Sequence, residues 1–291
     1  MPLLVLVSFI WAFSPGLIKG RLTGLDPTAV AAIRLALALL VFLPFFRPRG
    51  LSRTTLLRLT LVGAVQFGLM YLFYLRAFAL LPAYAVGLFT ITTPLYLVLI
   101  DAIASRRWRP RYALAALLAL GGAGVMLVQD HGLSAAWLRG CLLVQFSNLC
   151  FAAGQLAWRH ERTKLPAATR DASLFALPYL GAFLLTVIAS LYIRPFQTNW
   201  SALHLTPSHL LTLLYLGAIA SGLAFFLWNI GATRVGTGTL AVLNNAKIPL
   251  TVACSLLFFG EHADPLRLTV SLALLALALW IAERKPAKAG V

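Results

Sequence analysis

The sequence predicts an all-α integral membrane protein of ten transmembrane helices, built as two inverted five-helix repeats. Three observations carry that expectation: ten apolar runs of membrane-spanning length, basic residues gathered between those runs, and a weak internal repeat with an odd number of spans per half. Of 291 residues, 60% are apolar and 11% are charged, where a soluble globule carries about 25% charge. The mean hydropathy is +0.87. Such a chain would present greasy surface to water, whereas a bilayer already solvates it.

Crossing the hydrocarbon takes about 20 mostly apolar residues. The runs are Pro2–Ile18, Pro27–Phe46, Leu56–Leu80, Ala83–Ser105, Tyr112–Val128, Ala136–Trp158, Ala172–Ile193, Leu210–Thr233, Thr237–Phe259 and Leu266–Ala282. Short connections with turn formers or charges, such as Leu81-Pro82 and Val235-Gly236, leave no room for a soluble domain. The first run lacks a basic leader and an A-x-A site and is read as a true helix, not a signal peptide.

The net charge of +16 does not form a nucleic-acid surface. Its basic residues fall in clusters between runs, as at Arg47/Arg49/Arg53 and Arg106/Arg107/Arg109/Arg111, with no basic domain to follow a phosphate backbone. With the N-terminus placed in the cytoplasm, sixteen lysines and arginines fall on the inner side and five (Lys19, Arg21, Arg139, Arg194, Arg267) on the outer, leaving Arg34, Arg76 and Lys247 inside spans. The positive-inside rule then puts both termini in the cytoplasm. Three cysteines in apolar runs and five scattered histidines give no disulfide framework and no metal site, so no cofactor is expected.

Ten spans invite a test for two halves, residues 1–130 and 131–291. Sliding the chain by 155 residues sets Pro94 on Pro249, Pro110 on Pro265, Ala77 on Ala232 and Leu95 on Leu250. An offset of 140 sets Ser8–Ala12 against Asn148–Ala152, and Lys19 against Arg159. Five spans is odd, so the second half enters the membrane upside down, an arrangement that secondary transporters use to place two gates around one site.

These residues resemble the drug/metabolite transporter superfamily in its ten-helix EamA-type branch, over essentially the whole chain. The likeness rests on Ile10-Trp11-Ala12 with Gly16–Gly20 after it, Trp228-Asn229-Ile230-Gly231-Ala232, Ile248-Pro249-Leu250 and Phe259-Gly260-Glu261. The Trp-Asn pair and the first span look most like the aromatic amino-acid exporters of that branch. One departure is clear: where the first half would match the acidic Glu261 turn, the chain reads Ser105-Arg106-Arg107.

A charge inside hydrocarbon costs about 2.5–3.5 kcal/mol on insertion scales and is kept for a reason. Lys247 sits near the middle of its run beside Asn244 and Asn245. It either holds a substrate carboxylate, with Asn244 on the same helical face, or bonds carbonyls freed by Pro249. Arg34 either snorkels outward or lines the cavity as an anion contact, and Arg76 is read as snorkelling. Asp101 is the only acid within a span, near arginines, so no midplane carboxylate is available for proton-for-cation exchange. The candidate substrate-binding set is Lys247, Asn244, Asn229, Trp228, Arg34, Tyr71, Tyr74, Gln66, Trp11, Thr92 and Asn148, with Ser14, Thr93 and Gln145 at similar depths. For any single tyrosine or tryptophan, interfacial belt or packing is the competing reading. Glycines 121, 122 and 124, and Gly217, Ala218, Ser221 and Gly222, are read as packing seams.

The expected activity is secondary transport, as an exporter of small zwitterionic or anionic metabolites such as amino acids, aromatic ones first. A broad exporter of amphipathic compounds is the alternative, and a membrane scaffold or chaperone the non-transport one. No nucleophile–base pair or phosphate loop G-x-x-x-x-G-K-[ST] occurs, so an enzyme is not expected. The partners are a small molecule and the lipid bilayer; oligomeric state is left open, with a monomer plausible. Cysteines placed at His131 and Asn199 should react with an impermeant thiol reagent added outside, and one at Thr163 should not; the reverse labelling would overturn the orientation.

Overall fold

In a bilayer every backbone polar group must be satisfied within the protein, and helices do this segment by segment. Among its described residues the computed structural model accordingly shows seven helices long and apolar enough to cross a membrane. They are α1 (Pro2–Arg21), α2 (Pro27–Phe45), α3 (Arg53–Ala77), α4 (Ala83–Ala104), α5 (Ala135–Thr163), α6 (Asp171–Tyr192) and α7 (Pro207–Thr233). Two more follow, α8 (Thr237–Phe258) and α9 (Pro265–Glu283). The structure describes residues 2–48, 50–104, 132–234 and 237–283, with 106, 114–115, 117–118, 121–122, 124–125 and 128–129 between them. Over 237–247 it describes the backbone alone. Eight of the seventeen positions of the expected fifth span, Tyr112–Val128, lie outside these residues. Among the described residues the one extended feature pairs Val128 with Leu133 and Gln129 with Gly132, so Val128 belongs to a turn and not to that span.

Helix starts are marked by their caps. Asp26 accepts from the Ala29 N–H at 2.9 Å ahead of Pro27, and Ser52 accepts from the Thr55 N–H at 3.1 Å. Thr206 and His209 form a reciprocal capping box at α7. The start of α4 is capped from afar. Glu261, just past α8, accepts from the N–H groups of Ala83 at 2.6 Å and Tyr84 at 2.9 Å. A carboxylate there meets both orphan donors and the positive end of the helix dipole.

Neighbour contacts arrange eight helices in a closed ring, α1–α8–α4–α5–α3–α6–α2–α7 and back to α1, with α9 against the outside of α4. Glycines let the backbones touch. A Cβ on Gly181 of α6 would lie 1.9 Å from the Thr60 carbonyl oxygen of α3, and one on Gly63 of α3 would lie 1.9 Å from that of Pro178. Outward faces carry apolar side chains such as Leu6, Leu40, Leu61 and Leu257, as a lipid-facing surface requires.

Apart from a 3₁₀ turn that ends α2 (Leu43–Phe45) and a break at Phe175 near the start of α6, the irregularities lie near the middle of the ring. α1 breaks at Phe13, two residues before Pro15. α4 tightens to a 3₁₀ turn over Thr90–Thr92 before Pro94, and the Thr93 hydroxyl donates to the Thr90 carbonyl that Pro94 cannot reach, at 2.7 Å. α3 and α7 each widen to a π-helical segment, Ala64–Leu69 and Tyr215–Leu223. Gly181→Val should overpack the α3–α6 contact and lower stability by about 1–3 kcal/mol, read as a lower thermal midpoint of the detergent-solubilised protein; an unchanged midpoint would show that the contact can relax.

Candidate functional site

The ring encloses a cavity of about 90 Å³. Seven of its eight helices contribute: Trp11, Ser14 and Pro15 from α1, Arg34 from α2, Met70, Tyr71 and Tyr74 from α3, Gly87, Thr90 and Thr93 from α4, Ser147, Asn148 and Phe151 from α5, Phe225 from α7 and Thr251 from α8. No carboxylate is among them.

Arg34 dominates the site. Its side chain does not snorkel; it is 2% exposed. Nη2 donates to the Tyr71 hydroxyl at 2.7 Å, and Nε donates to Ser221 Oγ at 3.2 Å. The guanidinium carbon lies 4.4 Å from the Tyr71 ring centroid, a cation–π contact. The remaining hydrogens are assigned by the geometry. Ser221 Oγ donates to the Leu216 carbonyl at 2.7 Å, five residues back, as the π segment allows. The Tyr71 hydroxyl, 2.8 Å away, therefore donates to Ser221. These are neutral partners, and Nη1 has none among the described residues. A buried cation is ordinarily held by an opposite charge, because its desolvation costs several kcal/mol.

The π segment of α7 builds one wall. Widening the helix leaves carbonyls turned outward, and three are met by other helices. The Trp11 indole N–H donates to Ala220 at 2.9 Å, and the Tyr179 hydroxyl lies 2.7 and 2.6 Å from the carbonyl oxygens of Ser221 and Gly222. Across the cavity, Asn148 Nδ2 donates to the Phe89 carbonyl and to Thr92 Oγ1, both at 2.9 Å. Thr92 Oγ1 lies 2.6 Å from Gln145 Oε1.

Of the residues singled out in the sequence, Trp11, Arg34, Tyr71, Tyr74 and Asn148 line the cavity, as do Ser14 and Thr93. Gln66, Asn229, Trp228 and Thr92 lie behind its wall. Gln66 donates to Asn229 Oδ1 at 3.1 Å, Asn229 Nδ2 donates to the Phe225 carbonyl at 2.9 Å, and Trp228 packs 5.2 Å from Trp11. Lys247 and Asn244 fall where side chains are not described. Arg76 reaches outward to Thr28, to the Pro195 carbonyl and over the Phe196 ring. Phe151, Phe225, Thr90, Ser147 and Thr251 join the lining, and Ser221 the Arg34 network, without having been expected there. Ser221 looked like part of a small-residue seam, although a serine placed to meet a buried arginine was the available signal.

The EamA-like transporter family matches residues 1–128 and 138–286. The chain belongs to this family. It is 39% identical to the biotin transporter of Escherichia coli (strain K12), over 97% of this chain and 92% of that protein. It is 36% identical to a probable biotin transporter of Pseudomonas aeruginosa, over 97% and 96%. The threonine/homoserine exporter RhtA of Escherichia coli (strain K12) is 28% identical over 96% and 90%. One solved structure, described only as a protein, superposes with a TM-score of 0.64 at 21% identity over 96% of this chain and 93% of its own, which speaks to the fold alone. The chain is thus a multi-pass membrane transporter of the drug/metabolite superfamily and not an enzyme. None of these relatives is named for aromatic amino acids, so that expected preference gives way.

Tyr71→Phe should leave Arg34 and Ser221 each one partner short, costing about 1–3 kcal/mol. A lower thermal midpoint with unchanged helical circular dichroism would register it, and an unchanged midpoint would show the hydroxyl to be dispensable.

Proposed function

We propose that this protein carries biotin, or a closely similar carboxylate bearing a compact polar ring, across the bacterial inner membrane by alternating access. The observation that carries the reading is Arg34: a buried guanidinium in the cavity, with neutral partners and an unpartnered Nη1. A substrate carboxylate supplies the missing charge, through hydrogen bonds stronger than neutral ones. Biotin, named for the relatives at 39% and 36% identity, ends in such a carboxylate.

A zwitterionic amino acid is the second reading, favoured by the similarity to RhtA. Its ammonium would need an anionic or carbonyl-rich partner, and among the described residues no acid lines the cavity. The tyrosine and tryptophan faces could offer cation–π contact, but the Tyr71 face is already taken by Arg34. The simple anion is therefore preferred.

Lys247 and Asn244 belong to the same proposal. They stand one and two turns from Thr251 on α8, positions that share its helical face. Gln66, Asn229, Trp228 and Thr92 would act as a supporting layer. Ten spans in two inverted halves, divided near residue 130 with both termini cytoplasmic, complete the reading. Its support is threefold. The family matches two consecutive stretches. Exchanging α1–α4 for α5–α8 maps the neighbour order of the ring onto itself. The π segments of α3 and α7 overlap at the offset of 155 that also aligns Pro94 with Pro249.

Purified protein in liposomes preloaded with unlabelled biotin should accumulate labelled biotin by counterflow. Arg34→Met removes the charge and keeps much of the volume, so it should fold at least as well and lose at least tenfold in biotin affinity. Exchange by Arg34→Met at wild-type rate and affinity would overturn the anion site.

A further inference from the structure

Gln155 of α5 is 1% exposed, and neither its Nε2 nor its Oε1 has a hydrogen-bond partner among the described residues. Folding usually avoids this, since an unsatisfied buried polar atom costs about 1–3 kcal/mol. No sequence signal marks the residue, and the cavity lining does not include it.

Its place in the ring gives it a use. α3 runs antiparallel to α5 and to α7, as the pairs Gln66 with Gly154, Phe73 with Phe146, and Tyr71 with Ser221 require. At the end of the cavity away from Glu261, these three helices supply an apolar floor of Met70, Phe151 and Phe225, with the two phenyl rings 5.8 Å apart. Beyond that floor each helix places an amide four residues on: Gln66 before Met70, where the π segment of α3 shifts the row, Gln155 after Phe151 and Asn229 after Phe225. Gln66 and Asn229 are joined at 3.1 Å, and a Cβ on Gly154, next to Gln155, would lie 2.2 Å from Gln66 Cβ. The three amides therefore stand at one level along their helices, and two of the three are engaged with each other. Gln155 is left holding a free donor and a free acceptor.

We propose that Gln155 is a specificity-determining residue, which with Gln66 and Asn229 forms a second polar station for a neutral amide or cyclic-urea group of the transported carboxylate. The inference rests on the carboxylate reading of Arg34. A carboxamide offers an N–H and a C=O side by side, and its complement is a cis N–C=O edge that returns both bonds at once. A simple carboxylate has no N–H to give, and an ammonium has no acceptor. Substrate reaches the layer when the Phe151–Phe225 floor parts. The charged end is then read at Arg34 and the neutral end at Gln155, on opposite sides of that floor.

The test compares three probes on purified wild type, Gln155→Leu and Arg34→Met by displacement of labelled biotin and by thermal shift. Biotin has both groups, lipoate keeps a similar carboxylate chain without the cyclic urea, and biotinamide keeps the urea without the charge. Wild type should prefer biotin to lipoate. Gln155→Leu should be at least as stable as wild type and bind biotin roughly tenfold more weakly, the worth of one or two neutral hydrogen bonds, with lipoate unchanged. Arg34→Met should weaken biotin and lipoate alike and spare biotinamide. If Gln155→Leu does not fold, Gln155→Met, closer in shape, takes its place with the same expectation; failure of both to fold makes Gln155 structural and overturns the proposal. An intact preference of Gln155→Leu for biotin over lipoate overturns it, as does an equal loss of both. Wild type that binds lipoate as well as biotin overturns this inference alone, whereas wild type that binds neither overturns the carboxylate reading too.

Discussion

A buried guanidinium with only neutral partners is the constraint on which the rest of the site depends. Arg34 needs acceptors that a regular apolar bundle does not provide. The π segment of α7 turns Ser221 toward it and gives the serine hydroxyl an acceptor of its own, the Leu216 carbonyl. That widening exposes further carbonyls, and these in turn draw in Trp11 from α1 and Tyr179 from α6. Arg34 thus joins α2 to α3 and α7, and the widened backbone of α7 is joined in turn to α1 and α6. The tie is polar throughout, as it must be where lipid tails compete equally for apolar contact.

The helix irregularities near the middle of the ring have the same reason. Backbone that departs from the α-helix is tolerated in a membrane only where it lines a cavity or is met by protein donors. The break at Phe13, the 3₁₀ turn before Pro94 and the π segment of α7 all carry or adjoin residues of the cavity wall. Carbonyls at these places meet side-chain donors, as Phe89 meets Asn148 and Ala220 meets Trp11. The ends of the helices obey a different rule. Glu261 fastens the start of α4 through two charge-assisted bonds, and Arg106 stands at the position 155 residues earlier. A carboxylate can cap a helix start and an arginine cannot, so the two halves share a framework without sharing this fastening.

Hydropathy made the helices legible, because span length is set by bilayer thickness and little else. It also gave the depth of the polar residues, which is why Arg34, Tyr71, Tyr74, Trp11 and Asn148 were found before any coordinates. It could not give their facing. Neither π segment contains a proline, so nothing in Ala64–Leu69 or Tyr215–Leu223 announced that the helical row would shift there. Gln66 precedes that shift's exit in α3 and Asn229 follows the one in α7, and both point behind the floor. Gln155 lies within the same polar stretch of α5 as Gln145 and Asn148, but only burial and the lack of a partner set it apart, and neither is a property of sequence.

The chemistry of the cavity follows from what the aromatic residues are doing. The resemblance of the Trp-Asn pair and the first span to aromatic amino-acid exporters pointed to an aromatic substrate. In the structure those rings are occupied with one another: Phe225 stands 4.9 Å from both Trp11 and Phe67, and the face of Tyr71 carries Arg34. They build a rigid, water-excluding wall around a charge. Excluding water lowers the local dielectric, which raises both the cost of leaving Arg34 without an anion and the gain when one arrives. On the proposed reading, a cavity of this kind would select first for negative charge, and only then for the neutral group that the charge brings to the amide layer beyond the floor.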